Sequence, residues 1–175
     1  MQINNQKMQF SAGIFFLLLF SSLSLLAQVN TRTFNSRVMG ANTTTINSTN
    51  ITTVKIFADK AGKNCKPKLI LQVETANSEL TQAYGLSNRK YLPEKQGMLF
   101  SFKAPLIGSF WGKNTFIPLD LIYIDSARKI TQISQIRPHD LTTIASQSKI
   151  QYALELNQGT AEKYGLKIGD QLVWN

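Results

Sequence analysis

Hydrophobic and polar positions divide the chain into three stretches of different texture. Between Lys7 and Arg32 no residue is charged, and Ala12 through Phe20 is continuously apolar. The small-residue-rich run from Ser21 to Ala27 follows. A basic flank, an apolar centre and a small-residue end have the layout of a secretory signal, so residues 1–27 read as a signal peptide cleaved after Ala27. The alternative is an uncleaved anchor, because the apolar run approaches the roughly 20 residues that cross a bilayer. From residue 28 to residue 50 the chain is dominated by Asn, Thr and Ser. Such a stretch buries too little surface to offset its ordering entropy and is expected to be a flexible spacer. Its Asn-Thr-Thr, Asn-Ser-Thr and Asn-Ile-Thr triplets fit a glycosylation pattern that a Thr/Asn-rich spacer also produces by chance.

Beyond residue 50 the texture is that of a single globular domain, 51–175. Ile51, Val54, Ile56 and Phe57 form a short apolar segment, Ala61 to Asn64 a turn, and Leu69 to Glu74 a strand, together a hairpin over 51–75. Asn77 or Ser78 caps a short helix that ends at Tyr84, with Gly85 suited to its C-terminal position. Gly159 or Thr160 opens a second brief helix closed by Gly165. In both units a Leu follows the Gly, and its side chain is expected to pack back on the last turn. Strands are expected over Gly97–Phe102, Phe116–Asp125, Lys129–Ile136, Tyr152–Leu156 and Gln171–Trp174. The apolar run Leu119–Asp125 alternates only at its ends, as a central strand covered on both faces does. The fold class that follows is mainly β, a β-sandwich or small barrel with two or three short helices, with α+β as the fallback. A parallel βαβ arrangement is disfavoured because no long crossover helix is visible.

Composition narrows the chemistry. One Cys and one His preclude a Cys/His zinc framework and any internal disulfide, and no metal or cofactor is expected. Of the 175 residues, 19 are Lys or Arg and 10 are Asp or Glu, a formal charge of +9. That excess sits unevenly: residues 28–68 carry seven basic residues against Asp59, whereas residues 69–175 carry 11 against 9. A nearly balanced folded part argues against a nucleic-acid partner and for contact of the basic N-terminal part with anionic envelope material. A membrane is met only through the N-terminal segment if it stays uncleaved, and the chain is expected to be a monomer.

The densest polar-in-apolar block is Phe110-Trp111-Gly112-Lys113-Asn114-Thr115-Phe116-Ile117-Pro118-Leu119-Asp120. Placing Lys113, Asn114, Thr115 and Asp120 among such residues is costly unless each polar group finds a partner. This block, with Leu86, Arg89, Leu92-Pro93, Gly97-Met98-Leu99-Phe100, Leu154-Glu155-Leu156-Asn157-x-Gly159 and Gly165-Leu166-x-x-Gly169-Asp170, resembles the domain of unknown function family 192 from about Leu69 to Val173. The resemblance implies a compact, mostly β fold found in bacteria and archaea, often behind a signal peptide, without an established activity. The family usually has Met where this chain has Ser87 and Gly112. If both positions line one pocket, that pocket is wider or more polar here. The terminal Gly165–Asp170 run also resembles a fragment of the PDZ domain, but the Trp-Gly-Lys-Asn-Thr block does not belong to it.

Two classes of function follow as expectations. The first is an exported binding or accessory module of the periplasm or envelope, with Arg89, Trp111, Lys113, Asn114 and Asp120 holding a small ligand, glycan or peptide. The other use of Lys113, Asn114 and Asp120 is an internal structural network. The second class is an envelope hydrolase in which two of Asp120, Asp125, Glu155 and Asp170 converge; the balance leans away from an enzyme. Nucleophilic catalysis through His139 lacks a Gly-x-Ser-x-Gly elbow, and Cys65 lies outside the family-like core. Asp125 reads as a turn residue, and Glu155 as a buried base's partner or the solvent side of its strand. A purely structural envelope protein is the plainest alternative.

Overall fold

The computed structural model describes residues 50–59 and 65–175. The expected signal, the spacer up to residue 49 and the turn at 61–64 lie outside the described residues. Strand β1 (Ile51–Phe57) pairs antiparallel with β2 (Leu69–Ala76), Ile51 facing Glu74 and Ile56 facing Leu69, so the expected hairpin forms. Helix α1 (Glu79–Tyr84) starts at Ser78, whose hydroxyl accepts from the Thr81 amide while the Ser78 amide donates to the Thr81 hydroxyl. Gly85 ends it at φ 54°.

Next, β3 (Gln96–Leu106) runs parallel to β2, with Val73 beside Gly97 and Ala76 beside Phe100. One parallel pair thus sits in a mainly β sheet without a long crossover helix. A parallel crossover needs about a dozen residues or more, usually but not necessarily a long helix. Here residues 77–95 make it with α1 and irregular chain. The remaining elements are β4 (Ser109–Phe110), β5 (Leu119–Ile124), β6 (Ile130–Ile136), β7 (Ile144–Ala145), β8 (Ile150–Asn157), α2 (Thr160–Lys163) and β9 (Gln171–Val173). The strand expected from Phe116 begins only at Leu119, because Pro118 has no N–H for a ladder and Phe116 is solvent-exposed. Two-residue β4 and β7 leave no periodicity to read.

Seven strands form one sheet in the order β6-β5-β8-β3-β2-β1-β9, curled into a half-barrel. Its two ends approach each other. Lys129 bridges to Gln171, the Leu172 amide donates to the Arg128 carbonyl at 2.9 Å, and the Ile130 amide donates to the Asp170 carbonyl at 2.9 Å. A salt bridge backs this seam: Lys68 Nζ lies 2.7 Å from the buried Asp170 carboxylate and donates also to the Gly165 carbonyl. The second helix ends as the Gly-Leu signal requires, with Gly165 at φ 60° and the Leu166 amide reaching back to the Ala161 carbonyl.

Side-chain alternation gives the sheet two apolar faces. Its inner face collects Val54, Ile56, Leu71, Leu99, Ile122 and Leu154 with their neighbours under α2. The outer face of β3, β5, β6 and β8 collects Phe100, Phe102, Leu119, Leu121 and Tyr123, joined by Phe110 from β4 and by Leu86 and Leu92 from the crossover. Strand β5 is buried at all six positions, as its apolar run implied. Gly97 is required where β3 meets β8, since a Cβ there would stand 2.4 Å from the Glu155 carbonyl oxygen.

Candidate functional site

The outer face is covered mostly by loops. Beneath them, Phe110 packs edge-on to Phe100 and to Tyr123, with centroid distances of 5.3 and 5.7 Å. The Tyr123 hydroxyl donates to the Ile144 carbonyl at 2.6 Å. Glu155 lies in register with Met98 on one side and Leu121 on the other, both on this face, and is fully buried. It is therefore not on the solvent side of its strand. Burial pushes the Tyr123 phenol well above its ordinary value, and the Glu155 carboxylate pushes it the same way.

Three loops lock together over this floor. The Asn88 amide donates to the Asn114 carbonyl at 2.7 Å, joining the loop after α1 to the Trp-Gly-Lys-Asn-Thr loop. That loop closes on itself through the Thr115 amide and the Gly112 carbonyl. It is joined to the loop after β6 by the Gly112 amide on the Asp140 carbonyl, 2.7 Å, and the His139 amide on the Thr115 carbonyl, 3.2 Å. Asn88, Asn114 and His139 all take left-handed backbone conformations, with φ of 61°, 56° and 59°. Asn tolerates that region better than most residues, which explains two of the three.

On this scaffold Lys113 Nζ sits 5.3 Å from the centroid of the half-buried Trp111 ring. Phe116 is 45% exposed and meets the His139 ring edge-on at 4.8 Å. Asn114 is exposed and Thr115 buried. The Asp140 side chain accepts from the Thr142 amide at 2.8 Å; hydrogen bonding to Thr142, chiefly, holds its carboxyl below the ordinary range.

Several expected site residues go elsewhere. Asp120 turns to the inner face, where it accepts from the Ala161 amide at 2.8 Å and so caps α2 from 41 residues away. Arg89 reaches β2 and forms a two-pronged pair with Glu74, at 2.5 and 2.9 Å. The grouping of Lys113 and Asn114 with Asp120 is thus corrected, because adjacent positions on a strand face opposite ways and Asp120 is on the wrong face. Gly112 is also not an opening: a Cβ there would lie 1.9 Å from the Arg137 carbonyl oxygen, so backbone already fills that space. Ser87 lies on the loop bonded to the Gly112 loop, but the two positions do not leave a shared void at Gly112.

The carboxylates proposed to converge do not do so. Asp125 accepts from the Lys129 amide in a turn, Asp170 serves the seam, and Asp120 and Glu155 point to opposite faces. Among the described residues no group of three or more His, Cys, Asp or Glu is placed to hold a metal ion, and no helix is long and apolar enough to cross a membrane. Cys65 is exposed. Sequence reading missed that the Trp111 loop meets residues 137–139, where the Arg137 carbonyl abuts Gly112, the His139 amide bonds to Thr115 and the His139 ring meets Phe116. Pro138-His139-Asp140 was legible as a loop, but nothing local says which loop it meets.

Comparison with known proteins follows the same outline. The family model DUF192, described as Uncharacterized ACR, matches residues 60–174. A Sinorhizobium meliloti 1021 protein, described as a candidate transcription regulator, has a solved structure with 32% identity and a TM-score of 0.66, over 73% of this chain and 95% of its own. A Novosphingobium aromaticivorans DSM 12444 protein of unknown function has 31% identity and a TM-score of 0.64, over 71% of this chain and 85% of its own. No curated protein matches.

Proposed function

The chain belongs to the DUF192 family, and from that premise we propose that it is an exported binding or accessory module of the bacterial envelope, with its ligand surface on the three interlocked loops. The observation that carries this reading is the rigid presentation of exposed and half-exposed aromatic rings beside a lysine, on loops whose backbones bond to each other. Ordered loops on a packed sheet are where binding groups collect, because the sheet fixes the geometry while the loops vary the chemistry. The dispersal of Asp120, Asp125, Glu155 and Asp170 weighs for binding over a paired-carboxylate hydrolase.

A thermal-shift screen of the full-length chain against glycans, peptides, nucleotides and metal salts tests it. The expectation is stabilisation by one ligand class that vanishes in Lys113→Ala and Trp111→Phe while their unliganded midpoints stay near wild type. Shifts unaffected by both substitutions would place binding elsewhere. Export is tested separately by the mass of the protein recovered outside the cytoplasm, which should match a chain starting at Gln28.

A further inference from the structure

Two of the three segments that build the loop platform are poor in acids. Residues 102–119 and 131–149 carry Lys103, Lys113, Arg137 and Lys149 against a single acid, Asp140. The fold stitches these segments together. Strand β4 pairs with β7, the Ser146 amide donates to the Gly108 carbonyl at 2.8 Å, and the Gly108 amide donates to the Ser146 hydroxyl at 3.0 Å. The loop bonds from Gly112 and His139 continue the seam. Lys113 and Arg137 thus come from loops bonded to each other, with Trp111 and Phe116 on the first of them.

The geometry points to an anionic sugar chain, with carboxylates spaced along it, as the ligand of this platform; the inference deepens the proposed binding function and rests on it. The half-buried Trp111 ring and the exposed Phe116 ring suit the apolar C–H faces of pyranose rings, and Lys113 and Arg137 suit the sugar carboxylates. A duplex nucleic acid is less well matched. A protein that contacts about six to ten phosphates brings a matching number of cations, whereas these two segments have a net excess of only three. One charge per sugar or two, with an apolar ring between, fits the sparse cations and interspersed aromatics.

Titration calorimetry of the full-length chain with oligoalginate, a neutral cello-oligosaccharide and a single-stranded oligonucleotide tests the inference. Oligoalginate should bind, more weakly as salt is raised. Lys113→Gln and Phe116→Ala should each weaken it about five- to tenfold, equivalent to about 1 to 1.4 kcal/mol. Both side chains are at least partly exposed, so unchanged melting midpoints separate lost contacts from lost fold. Equal binding of the neutral sugar, with no effect of Lys113→Gln, overturns the anionic class but leaves a loop-centred site. Preference for the oligonucleotide overturns it in favour of nucleic acid. Binding of none of the three sinks the inference alone, whereas the absence of any loop-dependent shift in the wider screen sinks the reading beneath it.

Discussion

The two faces of the curled sheet use alternate residues of the same strands for different ends. Inside, the buried side chains are almost all Val, Ile and Leu, roofed by the short α2 and closed where β9 meets the start of β6. Outside, three aromatic rings meet edge to edge, Glu155 is buried among them, and the cover is mostly loops. Curvature accounts for part of this difference. The concave side offers a confined volume that branched aliphatic side chains fill in regular rotamers. The convex side must be roofed by chain that finds backbone hydrogen bonds outside the sheet, and the left-handed residues and cross-loop bonds supply them. Regular closure leaves little room for sequence variation, while a loop roof can change its exposed side chains without disturbing the strands.

Core truncation tests the contrast most strongly. Leu154→Ala on the inner face should destabilise the domain by about 2–5 kcal/mol, and Phe110→Ala on the outer face by about 3–5 kcal/mol, in urea unfolding. A loss under about 1 kcal/mol at Phe110 would mean that the loop roof collapses easily and is not a second core. The barrel seam comes next. Asp170→Ala removes one partner of the pair with Lys68, which is about a quarter exposed, and frees the Lys167 amide, so a loss of about 2–3 kcal/mol is expected. If Lys68→Met is neutral in the same assay, the backbone bonds of Asp170 hold the seam without the charge.

Asp120 separates a structural role from a ligand role. Asp120→Ala leaves the buried Ala161 amide without its acceptor and should cost about 1–3 kcal/mol, with Asp120→Asn costing less, while ligand affinity per folded molecule stays unchanged. A loss of affinity at full folding would bring Asp120 back to the site. The smallest effect is on the exposed rim of α2, where Lys163 lies 2.7 Å from Glu94. The hydrogen bond from Lys163, then that from Tyr164, lowers the Glu94 carboxyl below its ordinary value. A depressed carboxyl contributes above its unfolded value and loses that contribution as pH falls through the lowered one. In a carboxyl NMR titration Lys163→Ala should move Glu94 back up, and no change would show the pair is not kept in solution.

Much of the fold can be read along the chain. Ser78, Gly85 and Gly165 mark helix ends because their capping bonds close within a few residues, whereas the start of α2 after Gly159 takes its cap from the distant Asp120. Apolar alternation locates β1, β2, β6 and β8 nearly to their ends, and the start of β3, which runs on past Phe102 to Leu106. What the sequence hid was partnership. Along the chain Arg89 reads as a ligand-holding residue, whereas in the fold it pairs with Glu74, and Asp120 reads as a partner of Lys113, whereas its strand turns it inward. Gly112 read as removed volume, yet the Arg137 carbonyl occupies that volume.

Local signals decided where strands and helices begin, which residues are apolar, and how charge divides along the chain. They also carried the family resemblance that the DUF192 match establishes. Tertiary structure alone decided that β2 and β3 run parallel, that β4 finds β7, and that the Trp111 loop lies between the Asn88 and His139 loops. The reason is physical. Alternation and the Ser78, Gly85 and Gly165 caps are set by neighbours a few residues apart, whereas each of these pairings depends on how the whole sheet curls before two distant segments can meet.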